Sequence, residues 1–312
     1  MKLKIDTFKK KNIMSIKVEG VSKFYGKQTA LNEVSFEIER GEVVGFLGPN
    51  GAGKSTMMKV ICAYLSADEG EVFVCGKKVS EQEQEIKKLI GYLPEHNPLY
   101  LDMYVKEFLN FMCGIHQIKN KKEKIKEVIE LTGLQNEQHK KIKALSKGYR
   151  QRVGLAHAII HDPEVLILDE PTTGLDPNQI IEIRELIQKI GKKKTVMLST
   201  HIMQEVEAIC KRVIIIDKGK IVANQSIEEL KSKEQTFVVE VEFENPVNEK
   251  LLQQIPGVLK VSKSSNTLFV IESSKDEVRK AISKFALDQD NVIIKLNKQN
   301  ATLEQVFHNL TK

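Results

Sequence analysis

The sequence predicts an α/β domain built on a parallel sheet, interrupted by a helical insert and followed by a small α+β domain. Three observations carry this. Short Val/Ile/Leu runs, such as 43–47, 165–168 and 213–216, recur between segments with helical spacing, as in strands buried on both faces. The stretch from about 99 to 154 shows helical spacing alone, with apolar repeats in 105–115 and 125–131. Beyond a polar linker at 231–235, short strand and helix patterns resume.

The elements follow in order. Strands are expected over 16–21, 33–38, 42–47, 71–74, 90–93, 165–169, 195–199 and 212–217, and helices over 54–65, 179–190 and 202–209. Strands alternating with helices imply crossover connections and a parallel sheet. The larger domain spans 14–230 on this reading, with the helical subdomain at about 99–154. In the domain at 236–312, strands at 236–243, 258–262, 267–272 and 291–296 and helices at 248–255 and 275–287 give the β-α-β-β-α-β order of a ferredoxin-like unit, with a last helix at 302–310.

Composition narrows the function classes. The chain has 312 residues, enough for one large domain and a small one. No apolar run approaches the roughly 20 residues of a membrane-spanning helix, so the chain is not expected to cross a membrane. The formal charge is +6. Residues 1–13 hold five lysines and one aspartate, a net +4, which leaves 6 − 4 = +2 for the rest. The basicity is thus mostly a tail, read as a disordered extension before a natural start at Met14, and nucleic acid is not an expected partner. Cys62, Cys75, Cys113 and Cys210 stand singly, without metal-ligand spacing, which fits a reducing compartment, the cytoplasm.

Gly48-Pro49-Asn50-Gly51-Ala52-Gly53-Lys54-Ser55 has the GxxxxGK[ST] form, between an expected strand and an expected helix. Such a loop marks a P-loop NTPase core. Glycines let the backbone wrap phosphates, and the N–H groups and the positive end of the following helix face the anion. Lys54 adds a point charge to the β- and γ-phosphates, Ser55 offers a hydroxyl to Mg²⁺, and Thr56 a hydrogen bond to phosphate. A chance glycine-rich turn would not bring the matching strand and helix with it.

The run 165–168 ends in Asp169-Glu170. The end of a buried strand faces the crevice where α/β sheets bind ligands. Asp169 suits Mg²⁺ through water, and Glu170 suits orientation of an attacking water, since phosphoryl transfer needs positioning and charge neutralisation. Taken alone, the pair also fits an acidic helix start. His201, after strand 195–199, suits sensing of a γ-phosphate; taken alone it also fits a partly exposed loop histidine.

Together these segments resemble the ATP-binding subunits of ABC transporters, over 16 to about 230. Ile90-Gly91-Tyr92-Leu93-Pro94-Glu95 stands in the place of the family's Gln-bearing loop, and Leu145-Ser146-Lys147-Gly148-Tyr149-Arg150-Gln151 in that of its LSGGQ signature. Asp169 to Pro177 matches the carboxylate strand and D-loop, and His201 the switch histidine. The resemblance implies a homodimer sandwiching two ATP molecules, with Ser146 and Gly148 reaching the partner's γ-phosphate and Tyr25 stacking on adenine. It also implies an integral membrane permease as partner, and so a place on the inner face of the cell membrane.

Two departures stand out. Lys147 replaces the usual second glycine of the signature, and Glu95 replaces the glutamine, which puts a carboxylate near the metal. Both variants resemble an exporter-type subgroup, as does the ending Thr302-Leu303-Glu304-Gln305-Val306-Phe307. The segment 92–100 is similar to gliding-motility-associated ATP-binding subunits of this class. A soluble ATPase of the same type, acting on ribosomes or DNA, is the competing reading. Against it, the chain has one ATP-binding half, and about 90 residues without sustained heptads separate Ser55 from Leu145. Intact Lys54, Asp169, Glu170 and His201 argue against a non-hydrolysing regulator.

Overall fold

A computed structural model describes residues 14–233, 237–274, 278–299 and 302–311. The basic extension at 1–13, residues 234–235 of the expected linker, and the first residues of the strand expected from 236 and the helix expected from 275 lie outside the described residues. The chain divides into two compact units between Asn224 and Gln225.

In the first unit, β1 (Met14–Tyr25) and β2 (Gln28–Glu39) form an antiparallel pair. Then come β3 (Val43–Leu47), α1 (Lys54–Ile61), β4 (Glu69–Val74), β5 (Lys77–Lys78), α2 (Glu83–Leu89) and β6 (Ile90–Leu93). The next stretch is helical, with α3 (Val105–Ile115), α4 (Lys121–Thr132), a 3-10 turn at Ile142–Ala144 and α5 (Lys147–Ile159). These helices pack on one another, and α5 also lies against β6. β7 (Val165–Asp169), α6 (Pro177–Gly191), β8 (Thr195–Ser199), α7 (Met203–Ile209), β9 (Arg212–Asp217) and β10 (Lys220–Ser226) follow.

The strands expected in one parallel sheet form two. One has the order β2-β1-β4-β5, with antiparallel pairs throughout; the other has the order β10-β9-β3-β8-β7-β6, with parallel pairing from β9 to β6. Burial explains the split. β7 and β8 are buried at every residue, whereas β2 buries Val34, Phe36 and Ile38 and turns Glu33, Ser35 and Glu39 outward. That alternation marks an antiparallel sheet with one wet face. Helix α1 lies against both sheets, touching β2, β4 and β7, with Met57, Met58, Val60 and Ile61 in the shared core.

The polar stretch expected as linker from 231 begins inside a helix, α8 (Ile227–Lys233). Its start is a capping box: the Glu229 N–H donates to Ser226 Oγ at 3.1 Å, and the Ser226 N–H to Glu229 Oε2 at 3.3 Å. The second unit continues with β11 (Phe237–Phe243), α9 (Glu249–Gln253), β12 (Val258–Lys263), β13 (Leu268–Ser273), α10 (Val278–Asp288), β14 (Ile293–Gln299) and α11 (Leu303–Leu310). Its sheet has the order β12-β13-β11-β14, antiparallel throughout. Val239, Val241, Phe243, Phe269 and Ile271 pack there with Ile282 of α10, and α11 packs against α8.

Candidate active site

Four parallel strands lie side by side in the order β3-β8-β7-β6. Their C-terminal ends open along one edge, where α/β sheets bind ligands. The loop at 48–53 leaves β3, His201 follows β8, Glu170 follows β7 and Glu95 follows β6. The edge thus gathers residues that are far apart in the chain.

The glycine-rich loop has no room for side chains at two points. A methyl on Gly48 would lie 2.3 Å from the Ile216 carbonyl oxygen, and one on Gly53 2.5 Å from that of Ala30. Gly53 caps α1 at φ 108° and Gly51 sits at φ 80°, left-handed conformations that suit glycine. The Gly219 N–H, in the turn before β10, donates to Ala52 O at 3.1 Å and pins the loop from below. Asn50 is exposed, Pro49, Ser55 and Thr56 are half-buried, and Ala52 is buried.

Lys54 is buried and curls back into the loop, where Nζ donates to Gly48 O at 2.7 Å and Pro49 O at 3.1 Å. Burial pushes its pKa below the ordinary value, and the carboxylates of Glu170, Asp169 and Glu95 pull it back up. Those three acids therefore share one electrostatic neighbourhood with the ammonium. A buried cation facing carboxylates is a site ready for a phosphate–metal pair, which exchanges charge for charge.

Ser199 organises the acidic pair. Its hydroxyl donates to Asp169 Oδ1 at 2.6 Å and accepts from the Glu170 N–H at 3.0 Å. Parallel pairing sets Asp169 opposite Ser199, so the contact follows from sheet register. Glu170 leaves the strand at φ 51°, a left-handed turn that costs a non-glycine residue on the order of 1 kcal/mol. The turn aims its carboxylate at two donors. Thr173 Oγ1 donates to Glu170 Oε2 at 3.0 Å, and His201 Nδ1 lies 2.8 Å from the same oxygen. The His201 ring is 58% exposed, open to a ligand.

Asp169 and the Ser55 hydroxyl are hard oxygen donors of the kind Mg²⁺ takes, with its other positions left to water and phosphate oxygens. Among the described residues no group of three or more His, Cys, Asp or Glu forms a metal cage.

Ser146 and Gly148 belong to a different cluster. Ser146 caps α5, accepting from the Tyr149 N–H at 3.4 Å. A methyl on Gly148 would lie 2.6 Å from the Gln179 amide carbon, and one on Gly174 2.0 Å from Lys147 Nζ. The Lys147 side chain thus folds over the loop before α6. Among the described residues no hydrogen bond or ion pair joins Ser146 or Gly148 to residues 48–56. Tyr25 is half-exposed at the end of β1. Its hairpin partner β2 touches the phosphate loop through Ala30.

Sequence reasoning missed Ser199, Thr172, Thr173 and Glu205. Ser199 and Glu205 act only once β7 and β8 are paired, so no local spacing marks them. The Thr residues lie inside the run Asp169 to Pro177, where an offset of two or three from Glu170 was the available signal.

Comparison with known proteins points to one family. The family described as "ABC transporter" matches residues 31–173. The uncharacterized ABC transporter ATP-binding protein YdbJ of Bacillus subtilis is 32% identical over 292 residues, 93% of each chain. The bacitracin transport ATP-binding protein BcrA of Bacillus licheniformis is 36% identical over 228 residues, 72% of this chain and 73% of that one. The linearmycin resistance ATP-binding protein LnrL of Bacillus subtilis is 29% identical over 313 residues, 95% of this chain and 98% of that one. Among solved structures, the dimeric post-hydrolysis ATP-binding cassette MJ0796 bound to ADP and Pi superposes with TM-score 0.62 at 26% identity, over 68% of this chain and 98% of that one. The cbiO1 subunit of Clostridium perfringens, part of the cbiONQ ABC transporter complex, gives 0.65 at 27% identity, over 71% and 92%.

Proposed function

The chain belongs to the ABC transporter ATP-binding proteins, and from that premise we propose that it is the ATP-hydrolysing subunit that drives a separate integral membrane permease. The observation that carries this is the meeting of Lys54, Asp169 and Glu170 at one sheet edge, with His201 2.8 Å from Glu170 Oε2.

The loop at 48–53 and Lys54 hold the β- and γ-phosphates, Thr56 adds a hydrogen bond, and Ser55 and Asp169 hold Mg²⁺ with help from Glu95. Mg²⁺ held there by Ser55 and Asp169 would supply charge neutralisation for the phosphates. Glu170 orients a water whose oxygen attacks the γ-phosphorus. The bond to the bridging oxygen breaks, ADP leaves, and the water's proton passes to Glu170. His201 holds the γ-phosphate side of the site and steadies Glu170. Tyr25 stacks on adenine.

Ser146 and Gly148 serve the ATP of a second copy of the chain. Their separation from residues 48–56, and their place at the N-terminal end of α5, support a contact made across a homodimer. Asn97 Nδ2, just past Glu95, donates to Arg150 O of α5 at 3.3 Å, so the Glu95 loop can pass nucleotide state to the signature helix. On the helical stretch Tyr100, Leu101, Tyr104, Phe111 and Ile115 are all exposed, with Tyr100 and Phe111 edge to face. An apolar patch of this kind supports docking of a partner, here the cytoplasmic side of the permease. Among the described residues no helix is long and apolar enough to cross a membrane, so the partner supplies that part.

The helices from 99 to 154 are read as an inserted subdomain, and residues 236–312 as a ferredoxin-like accessory domain. Relatives named for bacitracin transport and linearmycin resistance support an exporter-type permease. The finer assignment, to a gliding-motility-associated system, rests on the resemblance of residues 92–100.

Purified chain is expected to hydrolyse MgATP and to co-purify from membranes with an integral membrane subunit. Sedimentation with ribosomes or DNA, and no membrane partner, would defeat the transport reading. Loss of gliding on deletion of the gene would support the finer one, and normal gliding would end it.

A further inference from the structure

We propose that Glu205 is a positioning residue for ATP hydrolysis, tying the turn that carries Glu170 to the turn that carries His201. The inference rests on the reading of Glu170 as the residue that orients water.

Glu205 lies in the first turn of α7 and is 1% exposed. Its Oε2 accepts from Thr172 Oγ1 at 2.5 Å and from Thr200 Oγ1 at 3.3 Å. Oε1 makes no hydrogen bond, and no cation among the described residues pairs with the carboxylate. Thr172 stands two residues after Glu170, and Thr200 immediately precedes His201. Both threonines are buried. One carboxylate oxygen thus grips both turns from behind, while Glu170 and His201 meet in front.

For the fold alone this arrangement is poor. A buried carboxylate with one unpaired oxygen and no counter-charge is costly, and an apolar side chain of similar size would serve a core better. What the carboxylate adds is a joint between two loops. Glu170 needs one, because its left-handed backbone is held only by its surroundings. His201 needs one because most of its ring lies in solvent. Thr200 extends the joint, since its Oγ1 also accepts from the Ile202 N–H at 3.1 Å. Productive geometry in such sites tolerates about half an ångström, and supporting contacts of this kind set it.

Steady-state MgATP hydrolysis by the full chain tests this. Glu205→Ala is expected to lower kcat about 100-fold with KM within about threefold of the parent. Glu205→Gln, whose amide oxygen still accepts both hydroxyls, should restore most of the rate. Thr172→Val, near the shape of threonine, should lower kcat as well. The double variant Glu205→Ala/Thr172→Val should be no slower than Glu205→Ala, since both remove one joint. If Glu205→Ala fails to fold, Thr172→Val and Glu205→Gln carry the test. Parental kcat in Thr172→Val, or a fall in kcat matched by an equal loss of ATP affinity, overturns the proposal. Glu170→Gln run alongside separates the two readings. If it is slow while Glu205→Ala and Thr172→Val are not, only this inference fails; if it turns over at the parental rate, the reading of Glu170 fails and this inference with it.

Discussion

The Ser199 hydroxyl is the direct link to Asp169, donating to Oδ1 at 2.6 Å from the next strand while accepting the Glu170 N–H at 3.0 Å. Ser199→Ala removes both contacts. The Glu170 N–H keeps the Ser199 carbonyl at 3.2 Å, but Asp169 loses its buried donor. The expected result is about 1–3 kcal/mol of lost stability and a higher Mg²⁺ concentration for half-maximal ATP hydrolysis. Urea unfolding and a Mg²⁺ titration of turnover check it; parental values in both would remove Ser199 from the site.

Glu170→Gln should bind MgATP normally and turn over roughly 100- to 10,000-fold more slowly. With hydrolysis slowed, ATP should trap the homodimer in gel filtration. Adding Ser146→Arg to that background should leave the chain monomeric in ATP, beyond the cost of about 1 kcal/mol for losing the α5 cap. A dimer that persists would take Ser146 out of the partner's site.

β6 passes very close to α5. A methyl on Gly91 would lie 2.0 Å from the Ala158 carbonyl oxygen, backbone that cannot swing aside. Gly91→Ala should therefore cost about 3 kcal/mol, visible as a lower Tm, and the strand leading to Glu95 would shift. An unchanged Tm would show that the helix yields freely.

His116, His157 and His161 lie close enough to influence one another. His116 stacks on His161 at 4.2 Å, and His157 sits edge-on to Phe108. Burial first, then neighbouring His116, holds His157 and His161 at about 4, against an ordinary 6.5. The unfolded chain takes up these protons near 6.5 and the folded chain only near 4. Stability should therefore fall as pH drops through that window and level off below it. Each ring accounts for up to about 3 kcal/mol. Urea midpoints from pH 7 to pH 4 read the slope, and His161→Gln should flatten it; an unchanged slope would place the titration elsewhere.

Much of this was legible in the sequence because it is local. Residues 48–55 form their cradle from consecutive backbone, so spacing alone locates it, and the run 165–169 announces a buried strand by its unbroken apolar character. Ser199 and Glu205 were not legible, because register between β7 and β8 gives them their partners. The split into two sheets was legible in part. Val34, Phe36 and Ile38 alternate with polar neighbours, a period that excludes burial on both faces. The capping box of Ser226 and Glu229 was in plain view, but the lysine-rich sequence beyond it reads as polar linker.

The arrangement of strands has a consequence for how the chain acquires its activity. Loop 48–53, Glu170 and His201 come together only after β3, β8 and β7 align in parallel, and two of these neighbours are separated by about 150 residues of intervening chain. Closing such long loops is the slow part of folding. Refolding from urea should show early recovery of helical circular dichroism from α3, α4 and α5, whose contacts are near in sequence. Competence to bind a fluorescent ATP analogue should return in a later phase, when the central strand β3 is seated between β8 and β9.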